Sequence, residues 1–158
     1  MKSILSRSLA RAGLVLLFGL ATVLFFTAAQ KKEARISQVV RDVKLLAPRA
    51  AAQPAHLNEN VAEGSAVRTG ADSRAELTFA DLTITRVGAN SIFSFEENGR
   101  NVNVESGAIL LRVPAHSGGT RIRSSALTVR ITGTTVMFEY RPRAYTKLIV
   151  LEDRKSVV

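Results

Sequence analysis

The run of short alternating segments that begins after Asn60 constrains the fold more than any other feature of this chain. Within each segment apolar residues occupy every second position, and turns that contain glycine separate one segment from the next. This alternation predicts strands with one buried face, and no helical period survives after Leu46. The residues predicted to face a shared core are Ala75, Leu77, Phe79, Val102, Val104, Ile109, Leu111, Val113, Leu127, Val129, Ile131, Val136, Phe138 and Tyr140.

The turns that separate these segments support the same interpretation. Asn98-Gly99 lies between two alternating segments and tolerates positive φ, so we expect a hairpin with a two-residue turn there. Phe93 and Phe95 precede that turn and are expected to fill the core rather than to form a stacking platform. Five glycines mark further corners: Gly64, Gly70, Gly88, Gly107 and Gly133. Pro114 to Gly119 is predicted to be a longer loop.

The sequence therefore predicts an all-β domain, either a compact sandwich or a short solenoid-like roll of about 9–11 short strands. One N-terminal hydrophobic helix is expected to precede it. The segment 35–46 is predicted to hold the first strand, although a helix is also compatible with it, and 47–60 is predicted to be a loop between strands. The irregular glycine spacing argues against an extended repeat protein.

The N-terminus has the layout of an export signal. Lys2, Arg7 and Arg11 precede a run of uncharged residues over 13–29. Its length suits both the core of a signal peptide and a membrane span, so cleavage after Ala29 and a retained anchor both stay open. We accordingly assign 1–29 as signal peptide or N-terminal membrane anchor and 30–34 as a tether. The rest is expected to be periplasmic or otherwise exported, with 13–29 as the segment that would anchor it in the inner membrane.

Charge and cysteine content narrow the partners of the exported part. The net charge is +9, and residues 1–29 carry three basic residues and no acidic one, so +6 remains after them. The chain has no cysteine, which excludes disulfides and thiolate metal sites. Arginines at alternate strand positions predict a solvated face; the functional alternative is attraction to an acidic partner, an anionic membrane or a cell-wall polymer. The arginines concerned are Arg112, Arg121, Arg123, Arg130, Arg141 and Arg143. Export argues against nucleic acid.

Residue types that carry chemistry are sparse and scattered. His56 and His116 lie about sixty residues apart without a ligand cluster, so no metal site is predicted. Ser117 follows His116 without a nucleophile elbow, and the loop 116–120 lacks the lysine and helix of a nucleotide-binding loop. Glu96-Glu97 border the predicted hairpin turn and are expected to keep it soluble. We predict no enzymatic activity, no catalytic residue and no cofactor.

Several blocks, in this order and spacing, together resemble the FecR domain family over residues 35–152. The blocks are Glu63-Gly64, Val67-Arg68-Thr69-Gly70, Ser73-Arg74-Ala75-Glu76-Leu77, Asp81 with Arg86-Val87-Gly88-Ala89-Asn90, Val104-Glu105-Ser106-Gly107-Ala108-Ile109-Leu110 and Ile131-Thr132-Gly133-Thr134-Thr135-Val136-Met137-Phe138. Leu82 departs from the glycine usual in the family, which predicts a looser loop there. The N-terminus also departs, because about a dozen residues before the apolar run cannot form the sigma-binding domain of the family's anti-sigma regulators.

The resemblance implies a non-catalytic envelope sensor or protein-interaction module in signal transduction, linked to iron uptake, with an envelope protein as partner. The alternative is a structural envelope module that binds anionic polymer or a membrane surface. At the C-terminus, residues 153–158 resemble a translated sequencing adapter. We therefore predict that they are a non-native tail.

Overall fold

The computed structural model describes residues 33–153, which form thirteen strands and one short 3-10 turn at Glu97–Gly99. The strands are β1 (Glu33–Val40), β2 (Val43–Leu46), β3 (Gln53–Pro54), β4 (Asn60–Ala62), β5 (Ala66–Thr69), β6 (Arg74–Thr78), β7 (Ile84–Val87), β8 (Ile92–Glu96), β9 (Asn101–Arg112), β10 (Thr120–Arg123), β11 (Thr128–Ile131), β12 (Thr134–Arg141) and β13 (Tyr145–Asp153). The all-β prediction is confirmed, while the strand number exceeds the expected 9–11 because very short strands such as β3 pair inside the predicted loop 47–60.

The strands form one sheet that curls into a half-barrel and divides into two halves along β9. Half-sheet I has the order β4-β1-β6-β7-β9-β12-β13 and uses the C-terminal part of β9. Half-sheet II has the order β3-β2-β5-β8-β9-β10-β11 and uses the N-terminal part of β9. All of these pairs are antiparallel except β9 with β10, which is parallel.

The passage of β9 from one half-sheet to the other depends on Gly107. This residue has φ +93°, and a Cβ atom built on it would overlap the side chain of Ser91. Side-chain parity also changes near this point, since Val104 is buried, Glu105 is exposed and Gly107 is buried again. A twelve-residue strand can therefore bend here and still present apolar residues to the core on both sides of the bend.

Near Gly107, the buried hydroxyl groups of Thr69 and Ser91 form hydrogen bonds that connect neighbouring segments of the two half-sheets. The Thr69 hydroxyl donates to the Gly88 carbonyl oxygen at 2.5 Å and accepts from the Ser91 amide at 3.0 Å. The Ser91 hydroxyl in turn accepts from the Ala108 amide at 3.0 Å. Thr69, Gly88 and Ala108 belong to three of the blocks that carry the family resemblance, so part of the pattern of those blocks serves this corner.

The core lies between the two half-sheets. Phe79, which directly follows β6 of half-sheet I, packs edge-to-face on Phe95 of half-sheet II, with 4.9 Å between the ring centroids. The predicted core residues are buried, with Val129 partly so. Leu127 is the exception: its side chain is 42% exposed, and it lies in the connection between β10 and β11 rather than in a strand. The prediction for Leu127 is therefore wrong.

Two local predictions need correction at their boundaries. The first strand begins at Glu33, so residues 33 and 34 of the predicted tether already pair with β4, and Ala34 is buried. The segment 35–46 holds strands and no helix. The predicted hairpin at Asn98-Gly99 is confirmed, but its connection is four residues long, since Glu96 pairs with Asn101.

The turn at Leu82 is tighter than predicted. The Phe79 amide donates to the Thr83 carbonyl oxygen at 2.9 Å, and the Asp81 carboxylate accepts from the Thr83 amide at 2.9 Å. Leu82 supplies the left-handed backbone that a glycine would supply, with φ +64°.

The predicted signal peptide or anchor of 1–29 lies outside the described residues, as do residues 154–158 of the predicted tail. Among residues 33–153 no helix is long and apolar enough to cross a membrane. Asp153 is the last residue of β13 and pairs with Thr134.

Candidate interaction surface

Strand β13 presents an open, apolar edge. It pairs with β12 on one side, and on its other side no strand of residues 33–153 is bonded to it. Seven large apolar side chains of the described residues are exposed, and four of them belong to β13: Tyr145, Leu148, Val150 and Leu151. Sheet edges with free backbone groups and apolar side chains readily add another strand, so this concentration distinguishes β13 from the rest of the surface.

Two of these side chains continue the core face of the sheet. Leu148 lies opposite the buried Phe138, and Val150 lies opposite the buried Val136. Because opposite residues on paired strands point to the same face, Leu148 and Val150 extend the core beyond the point where half-sheet II covers it. Val150 remains 55% exposed as a result.

The loop end of the β12–β13 hairpin is basic. Glu139 accepts from Arg141 Nε at 2.9 Å and from the Tyr145 hydroxyl at 3.0 Å. These bonds, the one from Arg141 above all, hold the pKa of the Glu139 carboxyl below its usual value. Arg143 in the exposed loop and Lys147 opposite Glu139 add two further cations, so this end of the edge carries more positive than negative charge.

A groove of about 570 Å³ runs across the outer face of half-sheet I next to the edge. Gly88 and Ala108 form its floor, where their small size leaves room. Leu110 and Met137 are paired across β9 and β12 and form an apolar wall, and Met137 in turn pairs with Ile149 of β13. On this outer face the groove therefore continues towards Ile149 of β13, while Leu148 and Val150 lie on the opposite face of the same strand.

The polar wall of the groove is built on an ion pair. Arg86 Nε donates to Glu76 Oε2 at 2.6 Å, and Ser37 donates to Glu76 Oε1 at 2.7 Å. The bond from Arg86, followed by that from Ser37, lowers the pKa of Glu76 from its ordinary value of 4.5. Arg74 lines the same groove and makes no ion pair within residues 33–153. Its charge is available to an acidic ligand.

The residues weighed for catalysis or metal binding lie apart in the structure. His56 and His116 are both exposed loop residues. The Ser117 hydroxyl donates to the Pro114 carbonyl oxygen at 2.8 Å. Residues 33–153 hold no cluster of three or more side chains suited to a metal ion.

The aromatic and basic candidates divide between core and surface. Phe93 and Phe95 are fully buried, which confirms their predicted place in the core. The six arginines separate into two groups: Arg121, Arg123 and Arg130 lie on half-sheet II, whereas Arg112, Arg141 and Arg143 lie on half-sheet I or in its hairpin loop.

The exposed edge of β13 was not recognised from the sequence. The available signal was the continuous apolar run Leu148 to Leu151, where alternation fails. A continuous run is usual for a strand buried on both faces, so this signal alone does not indicate an exposed edge. Only the pairing pattern shows that this strand has one neighbour.

Comparison with protein families gives one match that covers more than half of the chain. Residues 65–154 match the model of the FecR protein family. The chain therefore belongs to the FecR family, as its motifs predicted. The family is associated with the regulation of iron–siderophore signalling, and its domain is typically a periplasmic domain of envelope proteins. Neither the curated proteins nor the solved structures give a match.

Proposed function

We propose that this chain is a non-catalytic envelope module of FecR type that binds an extended segment of another envelope protein along β13. The observation that carries the proposal is the concentration of exposed apolar side chains on this edge strand. The family's association with iron–siderophore signalling supports a role in that kind of signal transduction. In this proposal residues 13–29 direct the chain out of the cytoplasm, as a cleaved signal or as an anchor.

Strand addition suits this edge for a physical reason. An edge strand leaves alternate amide and carbonyl groups unpaired, and an added strand pairs them in a regular ladder. Side chains of the added strand would contact Leu148 and Val150, which leave apolar surface exposed at the rim of the core. Affinity then comes from backbone hydrogen bonds and apolar burial, and specificity from the side chains at alternate positions.

Charge narrows the choice of segment. At the hairpin end of β13, Arg141, Arg143 and Lys147 outnumber the one carboxylate, Glu139. The bound segment is therefore expected to be apolar where it faces Leu148 and to carry acidic residues beside Lys147. Complementary charge of this kind favours the correct register and accelerates association.

Crosslinking in intact cells tests the proposal. A photoreactive amino acid replaces Val150 on the edge in one variant and the 60% exposed loop residue Leu57 in a matched control. We expect Val150 to give an adduct with one discrete envelope protein and Leu57 to give none. The same adducts from both positions, or none from either, would contradict the proposal. An adduct between two copies of this chain would assign the edge to self-association instead.

A second candidate function is a structural module that binds anionic polymer or a membrane surface. It is favoured by one observation, the direct opposition of Arg121 and Arg130 on neighbouring strands. Pull-down from envelope extracts at low and high salt separates the two functions. A protein partner that survives high salt supports strand addition, and polymer binding that is lost in salt supports the structural module.

A further inference from the structure

Three arginines from separate segments converge on a small cavity of half-sheet II, none of whose lining residues belongs to β13. Arg100 precedes β9, Arg121 belongs to β10, and Arg130 belongs to β11. The cavity measures about 180 Å³, and its remaining wall includes the Gly118-Gly119 segment. This volume accommodates a phosphate-sized anion with some of its water, since one water occupies about 30 Å³ in the liquid.

The arrangement of these arginines places like charges close together on the exposed surface. Arg121 and Arg130 are direct cross-strand partners, and like charges at such positions are destabilising. None of the ion pairs of residues 33–153 involves Arg100, Arg121 or Arg130. Glu97 is the one carboxylate among the residues that line the cavity. Positive charge therefore remains in excess there.

Neutral oxygen atoms hold two of the guanidinium groups in place. Arg121 Nη1 donates to Asn101 Oδ1 at 2.9 Å, and Arg130 Nη2 donates to the Gly118 carbonyl oxygen at 3.4 Å. The backbone segments that carry Arg100 and Arg121 are also hydrogen-bonded to each other, because the Arg121 amide donates to the Arg100 carbonyl oxygen at 2.6 Å. These contacts orient the arginines and leave their charge uncompensated, with further N–H groups free to bind an anion.

The two glycines shape the opening. Gly118 has φ +81°, and a Cβ atom on it would lie 3.9 Å from Arg100 Nη2, so the absent side chain keeps space beside that group. Gly119 has φ +84°, and a Cβ atom there would lie 2.8 Å from Thr132 Oγ1. The loop can therefore follow its observed path only with glycine or with strain.

We propose that Arg100, Arg121 and Arg130 form a site for a phosphate group carried by a component of the envelope. Guanidinium groups bind phosphate oxygens through paired, charge-assisted hydrogen bonds, which fit a tetrahedral anion better than isolated lysines do. The site differs from nucleotide-binding loops, since its cations come from three separate segments of the chain rather than from one loop. The site deepens the second candidate function, which rests on the same pair of Arg121 and Arg130. It is independent of the β13 edge, so either proposal can fail without the other.

The test is a titration of the full chain with inorganic phosphate at constant ionic strength. NMR chemical shifts of the backbone amides monitor the binding. We expect shifts centred on residues 118–121 and a dissociation constant of about 1 mM or tighter. Arg130→Gln is expected to weaken binding about tenfold, since it removes a charge-assisted contact. The matched control is Arg68→Gln, which removes the same charge from the exposed outer face of β5 in the same half-sheet.

Vesicles of phosphatidylglycerol in phosphatidylcholine separate the sources of the phosphate group. The chain could bind both phosphate and these vesicles, with both affinities lowered by Arg130→Gln and not by Arg68→Gln. That result supports the site and assigns it to lipid headgroups. Phosphate binding without vesicle binding supports the site and assigns it to a soluble or polymer-borne phosphate. Equal weakening by the two variants, or shifts spread over the whole sheet, would overturn the proposal in favour of diffuse attraction.

Discussion

At the scale of single residues, the turn at Leu82 shows how tertiary structure imposes a conformation that the residue does not favour. Two hydrogen bonds to Thr83 close the turn and place Leu82 at φ +64°, with its side chain 71% exposed. The β-carbon of leucine clashes with the backbone at positive φ, which is unfavourable. The exposed side chain gains no burial that would offset this cost. The residue therefore costs stability at this position.

Replacing Leu82 with glycine is expected to stabilise the domain by about 1 kcal/mol, because glycine adopts positive φ without the steric penalty. Urea denaturation of the wild type and the Leu82→Gly variant measures the change in the free energy of unfolding. Leu82→Ala serves as the control, since it removes the same exposed apolar side chain and keeps the β-carbon. A gain of equal size in both variants would show that backbone strain is not the cause.

Side-chain burial was largely predictable at this scale, and the φ angle of Leu82 was not. Ala75, Leu77 and Phe79 alternate with polar residues, and each is buried as the pattern requires. The conformation of Leu82 depends instead on how β6 and β7 are aligned, since Thr78 pairs with Ile84 across the turn. A looser loop was the reasonable expectation from the residue types alone.

At the scale of elements, β9 connects the two half-sheets and Gly107 is its hinge point. The sequence predicted a corner at Gly107 between two short strands, and the structure has one strand that bends there. Alternation on each side of the glycine was read correctly. The pairing of β9 with four other strands could not be predicted, because the register between segments far apart in the sequence has no local sequence pattern.

Substitution of Gly107 by alanine is expected to destabilise the domain by about 3 kcal/mol or more, as backbone strain at φ +93° adds to overlap with Ser91. Gly64→Ala is the matched control, because Gly64 has φ +81° with no atom within 4 Å of its missing Cβ. That variant carries the strain alone and should lose about 1 kcal/mol. Thermal or urea unfolding measures the free energy of unfolding of both variants. Equal losses of stability would show that the close approach of Gly107 to Ser91 makes no contribution.

At the scale of the whole molecule, two separate surfaces follow from one curled sheet. The half-barrel buries its apolar faces between the half-sheets and ends in edge strands, of which β13 is the most apolar. On the opposite half, β10 and β11 present the opposed arginines. Family membership was predictable from the order of the motifs, some of which supply corner residues such as Thr69, Gly88 and Gly107. The two surfaces were not predictable from the sequence, because each depends on which strands are neighbours in the sheet.

Amide hydrogen exchange along β13 tests the central claim most directly. It is measured on the free chain and again with the purified protein that crosslinks to position 150. The account predicts that amides of 145–151 pointing away from β12 exchange rapidly in the free chain and become protected in the complex, while those around Leu57 do not change. Slow exchange of all β13 amides in the free chain, or unchanged exchange in the complex, would contradict it.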